Sequence, residues 1–173
     1  MNSDPDYQAA SQGIRNPQQV ILQPGMWLCR FAGSKGPDGK ISDPGVLHQS
    51  PWWMSSDDFR KLLFATQKSN FNYKFFARIW LAVKSEWSGM DKLIIAKVKN
   101  RMAVWAGRGR TMREAMPNGM EFIYKPPADL TQLYIPGMAL KKGEANSGYN
   151  LGNLVVESVN NVPPIGVKGL DGK

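Results

Sequence analysis

The feature that most constrains this chain is a short run, Pro24-Gly25-Met26-Trp27-Leu28-Cys29-Arg30-Phe31, a turn followed by an apolar strand with one arginine near its far end. Strand interiors favour aromatic and branched residues and bury them. A guanidinium set between Leu28 and Phe31 must therefore meet something anionic or turn out of the sheet. Two readings follow. Arg30 is either a surface residue of an edge strand or a planar fork held on a rigid strand, a geometry that suits a pyrophosphate.

Around that run the chain is a series of short apolar segments cut by turn formers. Its 173 residues, 42% of them apolar, suffice for one domain with a single core. Residues 1–19 are polar and rich in Gln, Asn and Ser, which predicts a flexible N-terminal arm. Residues 20–142 then form the domain, and 143–173 read as a loosely structured tail. In that tail Leu154-Val155-Val156 can add an edge strand, and the last ten residues remain loose. The Gly- and Pro-rich stretch from Gly33 to Gly45 is a long loop, either a ligand cover or a tolerated insertion.

Two helices and several strands fill the domain. Ser55 or Ser56 caps a helix with Asp57 and Asp58 in its first turn, an apolar face of Phe59, Leu62, Leu63 and Thr66, and an end near Lys68. A second, mostly buried helix opens at Asn70, carries Phe71, Phe75, Ile79, Ala82 and Val83 at helical spacing, and is broken at Trp87-Ser88-Gly89. Lys92 to Val98 reads as a strand. Met102 to Ala106 is its hairpin partner or its continuation across a bend. Met120 to Tyr124 and Leu130 to Ile135 complete the strands, with Gln132 and Tyr134 on one face and Leu133 and Ile135 on the other. The class is α+β, a small split or sandwiched antiparallel β-core with two or three helices.

Charge and rare residues narrow the chemistry. Lys and Arg number 22 against 14 Asp and Glu, a net charge of +8 that favours nucleic acid, a phosphate-rich ligand or an acidic protein, and that also serves solubility. One cysteine, Cys29, and one histidine, His48, exclude an intramolecular disulfide framework and leave too few ligands for a Cys/His zinc site. A nucleophile–base pair would have to be built on His48 alone. Glu86, Glu114, Glu121 and Asp129 show no spacing that argues for a glycosidase pair. The start lacks the basic and apolar regions of a signal peptide and no apolar run nears membrane length, so a cytoplasmic protein without a membrane partner is expected.

What remains is a set of cationic and neutral polar groups: Arg30, Ser50, the adjacent Trp52 and Trp53, Arg108 or Arg110, Glu121 and Gln132. Adjacent residues of an extended segment face opposite sides, so one tryptophan enters the core and the other is free to wall a pocket and stack a flat ring. Gly107-Arg108-Gly109-Arg110 follows a strand and could wrap a phosphate, but its spacing is neither a Walker loop nor the dinucleotide fingerprint.

The order of these segments resembles a known family. Trp27-Leu28-Cys29-Arg30, then Ser50-Pro51-Trp52-Trp53 leading into a helix, then Val104-Trp105-Ala106-Gly107, then Asn118-Gly119 and Thr131-Gln132-Leu133-Tyr134-Ile135-Pro136-Gly137 look like the ADP-ribosyltransferase and NAD-glycohydrolase domains of polymorphic toxins, over roughly residues 24–138. The resemblance implies that Arg30 grips the phosphates of NAD. Ser50 with Trp52 or Trp53 would support the nicotinamide pocket, with Tyr134 among the NAD-binding residues. Gln132 or Glu121 would contact the nicotinamide ribose. It further implies a toxin or effector delivered into a target cell's cytoplasm, with a protein or nucleic-acid acceptor and an immunity or inhibitor protein as partners. The last strand reads Gln132-Leu133-Tyr134 and has no Glu-x-Glu or Gln-x-Glu, which leaves hydrolysis of NAD as open as transfer. The competing class is a basic, noncatalytic protein of phage or bacterial origin that binds nucleic acid by phosphate contacts and stacking or acts through interaction alone.

Overall fold

Local signals account for most of the elements, including one that composition hid. The computed structural model describes residues 4–34, 46–69, 73–84, 87–139 and 148–162. The Asp4 carboxylate accepts hydrogen bonds from the N–H groups of Asp6 and Tyr7, and Pro5 fills the first helical position with its fixed φ, so helix α1 (Pro5–Gly13) begins there. It runs directly into strand β1 (Ile14–Leu22), which pairs antiparallel along strand β5 (Met102–Gly109). The flexible arm expected over residues 1–19 is thereby corrected. Its polar composition reflects an edge strand with most residues in solvent, anchored by the fully buried Ala10 and Ile14. Pro17, which has no N–H to offer a ladder, falls inside the bulge between Arg15 and Gln18.

The other elements follow in chain order: β2 (Trp27–Ala32), β3 (Trp52–Ser55), α2 (Ser56–Ser69), α3 (Tyr73–Leu81), β4 (Lys92–Val98), then β5, β6 (Met112–Ala115), β7 (Glu121–Tyr124), β8 (Thr131–Tyr134) and β9 (Leu154–Asn161). Seven strands form an antiparallel sheet in the order β1-β5-β8-β3-β2-β4-β9, and β6-β7 make a separate two-stranded ribbon. The fold is α+β, with three α-helices among the described residues.

Strand β3 divides the sheet. Its first half, Trp52 and Trp53, pairs with Tyr134 and Leu133 of β8, whereas its second half, Met54 and Ser55, pairs with Cys29 and Leu28 of β2. A buried cluster that includes Leu28, Trp53, Ile94, Val104, Leu133 and Ile135 joins the two halves. A second cluster packs Cys29, Phe31 and Met54 against Leu62, Tyr73 and Ala77 of the helices. Strand β5 pairs with β1 and β8 and not with β4, so of the two readings for Met102–Ala106 the continuation across a bend is the one observed.

Ser55 caps α2: its hydroxyl accepts from the Asp58 N–H and donates to the Asp58 carboxylate, a reciprocal capping pair. Asp58, buried, also accepts from Lys61 and from the Thr131 N–H, which ties α2 to β8. Within the segment expected to be a loose tail over 143–173, β9 extends from Leu154 through Asn161 and covers the outer edge of β4. Most of the Gly33–Gly45 loop, the Asn70 and Phe71 start of the second helix, Glu86 and the last ten residues lie outside the described residues.

Candidate functional site

Where β2, β3 and β8 meet, a cavity of about 410 Å³ opens beside Arg30, Phe31, Ser50, Trp52, Trp53, Met54 and Gln132. Its facing wall is the end of α3 and the segment after it, Leu81, Ala82, Val83, Trp87 and Ser88, and it is closed further by Gln12, Gly13 and Met112. Five residues singled out in the sequence thus share one space. The supporting residues from α1, from the end of α3 and from β6 were not singled out. Gln12 lay in the presumed arm, and Leu81 to Ser88 read as a helix and its breaker.

Arg30 is the unusual group in this wall. Its Nη2 reaches the Phe31 carbonyl oxygen only at a long 3.4 Å, while Nε and Nη1 are buried with no hydrogen-bond partner among the described residues. The guanidinium carbon lies 5.7 Å from the Trp53 ring centroid, so an indole face supplies part of the compensation. Burial pushes its pKa down to about 10. The nearby guanidinium also contributes, after burial, to lowering His48 below the ordinary imidazole value. Donors without acceptors at the wall of a cavity leave a desolvated positive charge that an anion would satisfy.

The tryptophans are held in place on either side. Trp53, 3% exposed, belongs to the core cluster and donates its indole N–H to the Ser50 carbonyl at 2.8 Å, so one tryptophan does enter the core while still bordering the cavity. Trp52 packs against the edge of Tyr134, with centroids 5.1 Å apart, and lies so close to Gly13 that a Cβ there would sit 2.5 Å from the indole. The Ser50 hydroxyl accepts from the Trp52 N–H at 3.5 Å. These contacts fix both rings before any ligand arrives.

Gln132 is buried and donates its amide to the Leu81 carbonyl at 2.9 Å. It thereby bridges β8 to the last residue of α3. That helix ends in a Schellman turn, with Val83 N–H bonded to the Arg78 carbonyl, Ala82 N–H to the Ile79 carbonyl, and Ala82 itself at φ 51, where glycine is the usual residue. Arg78 then fastens the following segment by donating to the carbonyls of Val83 (3.2 Å), Lys84 (2.8 Å) and Ser88 (2.8 Å).

Three candidates fall elsewhere. Glu121 is exposed on β7, where it pairs with Arg113 across the ribbon, and it does not border the cavity. Tyr134 supports Trp52 from behind without lining the cavity, and its pKa is raised by burial and by Asp6. In Gly107-Arg108-Gly109-Arg110 the arginines donate to the carbonyls of Pro126 and Ile14. A Cβ on Gly109 would meet the Gln132 amide nitrogen at 2.6 Å, so this glycine makes room for Gln132, and the motif is structural. Cys29 is buried, its thiol pushed up to about 11 by burial. Among the described residues no cluster of three or more His, Cys, Asp or Glu is placed to hold a metal ion, and no helix is long and apolar enough to cross a membrane.

No protein-family model and no curated protein matches the chain. Among solved structures, it is similar to "Rhs1-CT in complex with cognate immunity protein RhsI1", with a TM-score of 0.52 and 10% sequence identity over 94% of this chain and 98% of that chain. At that identity the likeness is one of fold.

Proposed function

We propose that the chain is a toxin-type effector domain that cleaves NAD at the bond between nicotinamide and ribose, with water as the first-choice acceptor. The observation that carries the reading is the convergence on one cavity of a buried Arg30 whose Nε and Nη1 have no partner among the described residues, two fixed indoles, Ser50 and Gln132. An arginine fork suits the pyrophosphate, an indole face suits the nicotinamide ring, and the Gln132 amide is at hand for a ribose hydroxyl. The likeness to the Rhs1-CT fold supports the toxin-type part of the proposal, and that structure's bound immunity protein motivates a cognate immunity protein as partner.

The chemistry asks little of acid–base groups. As the C1′–N bond breaks, its electron pair leaves with the nicotinamide nitrogen, cancelling the pyridinium charge, and positive charge grows on the ribose. Water then bonds to C1′ and releases a proton to solvent, giving ADP-ribose and free nicotinamide. The rate comes from holding the substrate bent and from dipoles aimed at the developing charge. Among the described residues no carboxylate lines the cavity.

The test is NAD consumption by the purified chain, with and without protein and RNA acceptors, followed by separation of nicotinamide, ADP-ribose and labelled macromolecule. Turnover that falls at least about a hundredfold in Arg30→Ala, as expected for losing a charge-assisted contact and its orienting role, supports the reading. Gln132→Ala should also lose activity. Because Gln132 holds Leu81, the variant needs a check of folding by circular dichroism. An NAD pool left intact by the wild-type chain, together with steeply salt-dependent RNA binding, would replace the proposal with the nucleic-acid-binding alternative.

A further inference from the structure

The cavity carries a third indole that the proposed cleavage does not use. Trp87 borders the cavity yet is 48% exposed, unlike the buried Trp53. Its backbone is anchored all the same. The Trp87 backbone N–H donates to the Lys84 carbonyl at 3.1 Å, and Arg78 ties down the Lys84 and Ser88 carbonyls on either side. The Lys84 ammonium lies 5.3 Å from the Trp87 ring centroid, which places positive charge beside the ring. An indole half in water, on an anchored backbone at the border of a cavity that also contains an incompletely satisfied guanidinium, is a stacking surface with an anion site in the same space.

We infer that Trp87 is the platform for the purine base of an adenine nucleotide, and so sets the preference of the site for a dinucleotide over a mononucleotide. The inference rests on the proposed NAD cleavage and deepens it: NAD carries two flat rings joined by a pyrophosphate, and the cavity offers one indole, Trp87, beyond the pair next to Ser50. Base–indole stacking is sequence-tolerant and energetically large enough to matter, and every base has a π-face to offer.

The experiment compares wild type, Trp87→Ala and Trp87→Phe. In turnover, Trp87→Ala should raise KM for NAD about tenfold or more while leaving kcat within about threefold, and Trp87→Phe should recover most of the loss. Nicotinamide mononucleotide lacks the adenylate half, so its kcat/KM should be equal in wild type and Trp87→Ala. An equal loss for both substrates would overturn the platform and make Trp87 a general wall residue. Binding of ADP-ribose by calorimetry does not depend on catalysis. Tight binding by wild type with about tenfold weaker binding by Trp87→Ala supports the inference even where NAD cleavage fails. Equal affinity in the two proteins, or no binding by wild type, overturns it.

Discussion

The two walls of the cavity are built from opposite uses of arginine. On the helix side, Arg78 donates to three backbone carbonyls, those of Val83, Lys84 and Ser88. On the strand side, Arg30 reaches one carbonyl at 3.4 Å and leaves Nε and Nη1 buried and unpaired. Burial lowers the pKa of both. A guanidinium whose donors are satisfied by the chain stabilises a wall, whereas one left unsatisfied carries a desolvation cost that a ligand could relieve. The difference marks Arg30 as the candidate ligand-binding residue more sharply than its position in a strand does.

The largest effects should separate the two arginines. Arg30→Met is expected to lower NAD turnover about a hundredfold and at the same time to raise stability by roughly 1 kcal/mol, because an unpaired buried charge is replaced by an apolar chain of similar length. Thermal unfolding beside the turnover assay checks the pair; a variant that loses both would make Arg30 a structural residue. The pH dependence follows from the sign of the shift. A base whose folded pKa lies below its ordinary value destabilises the fold wherever the unfolded chain holds the proton, and the effect is relieved only as pH rises through about 10. The stability gap between Arg30→Met and wild type should therefore stay level between about pH 7.5 and pH 9, and should widen as pH falls through the imidazole range, because Arg30 also helps to hold His48 below its ordinary value.

Arg78→Ala should do the reverse on stability, costing about 2–3 kcal/mol in urea unfolding as three carbonyls lose their donor, with a secondary loss of turnover. Ala82→Gly tests the same wall more gently. Removing the Cβ from a residue at φ 51 should stabilise by about 1 kcal/mol, and a loss of stability would show that the Ala82 methyl packs usefully. The smallest effect belongs to Glu121→Gln. The Glu121–Arg113 pair is solvent-exposed, so stability should move by less than about 0.5 kcal/mol and turnover not at all. A clear loss of turnover would return Glu121 to the site.

Legibility in the sequence tracked the range of the interactions concerned. Helix α2 was readable because Ser55, Asp58 and an apolar face lie within a few turns of one another. Strands β4, β7 and β8 were readable from their own residue patterns. Helix α1 had a local signal in Asp4-Pro5, but the Gln- and Asn-rich composition outweighed it. The pairing of β1 with β5 joins residues on opposite sides of most of the chain, and no local pattern reports it. Within the site, Arg30 could be named because a charge is anomalous in its strand, Trp52 and Trp53 because they are adjacent in an extended segment, and Ser50 through the family resemblance. Gln132 could be named as a candidate, but its bond to Leu81 joins β8 to the end of α3 and exists only in the folded chain. Gly109 read as part of a phosphate loop because the sequence cannot show that the space its missing side chain leaves is filled by Gln132.

The division of β3 between two neighbours has a mechanical consequence. Four residues carry the ladder from one half-sheet to the other, and the peptide between Trp53 and Met54 acts as the spine of a half-open book whose covers bear Arg30 on one side and Gln132 on the other. A change of twist at that spine would move the strand that carries Arg30 and the strand that carries Gln132 relative to each other as whole bodies. The spacing of the strand-borne groups is thus tied to backbone geometry as well as to their rotamers.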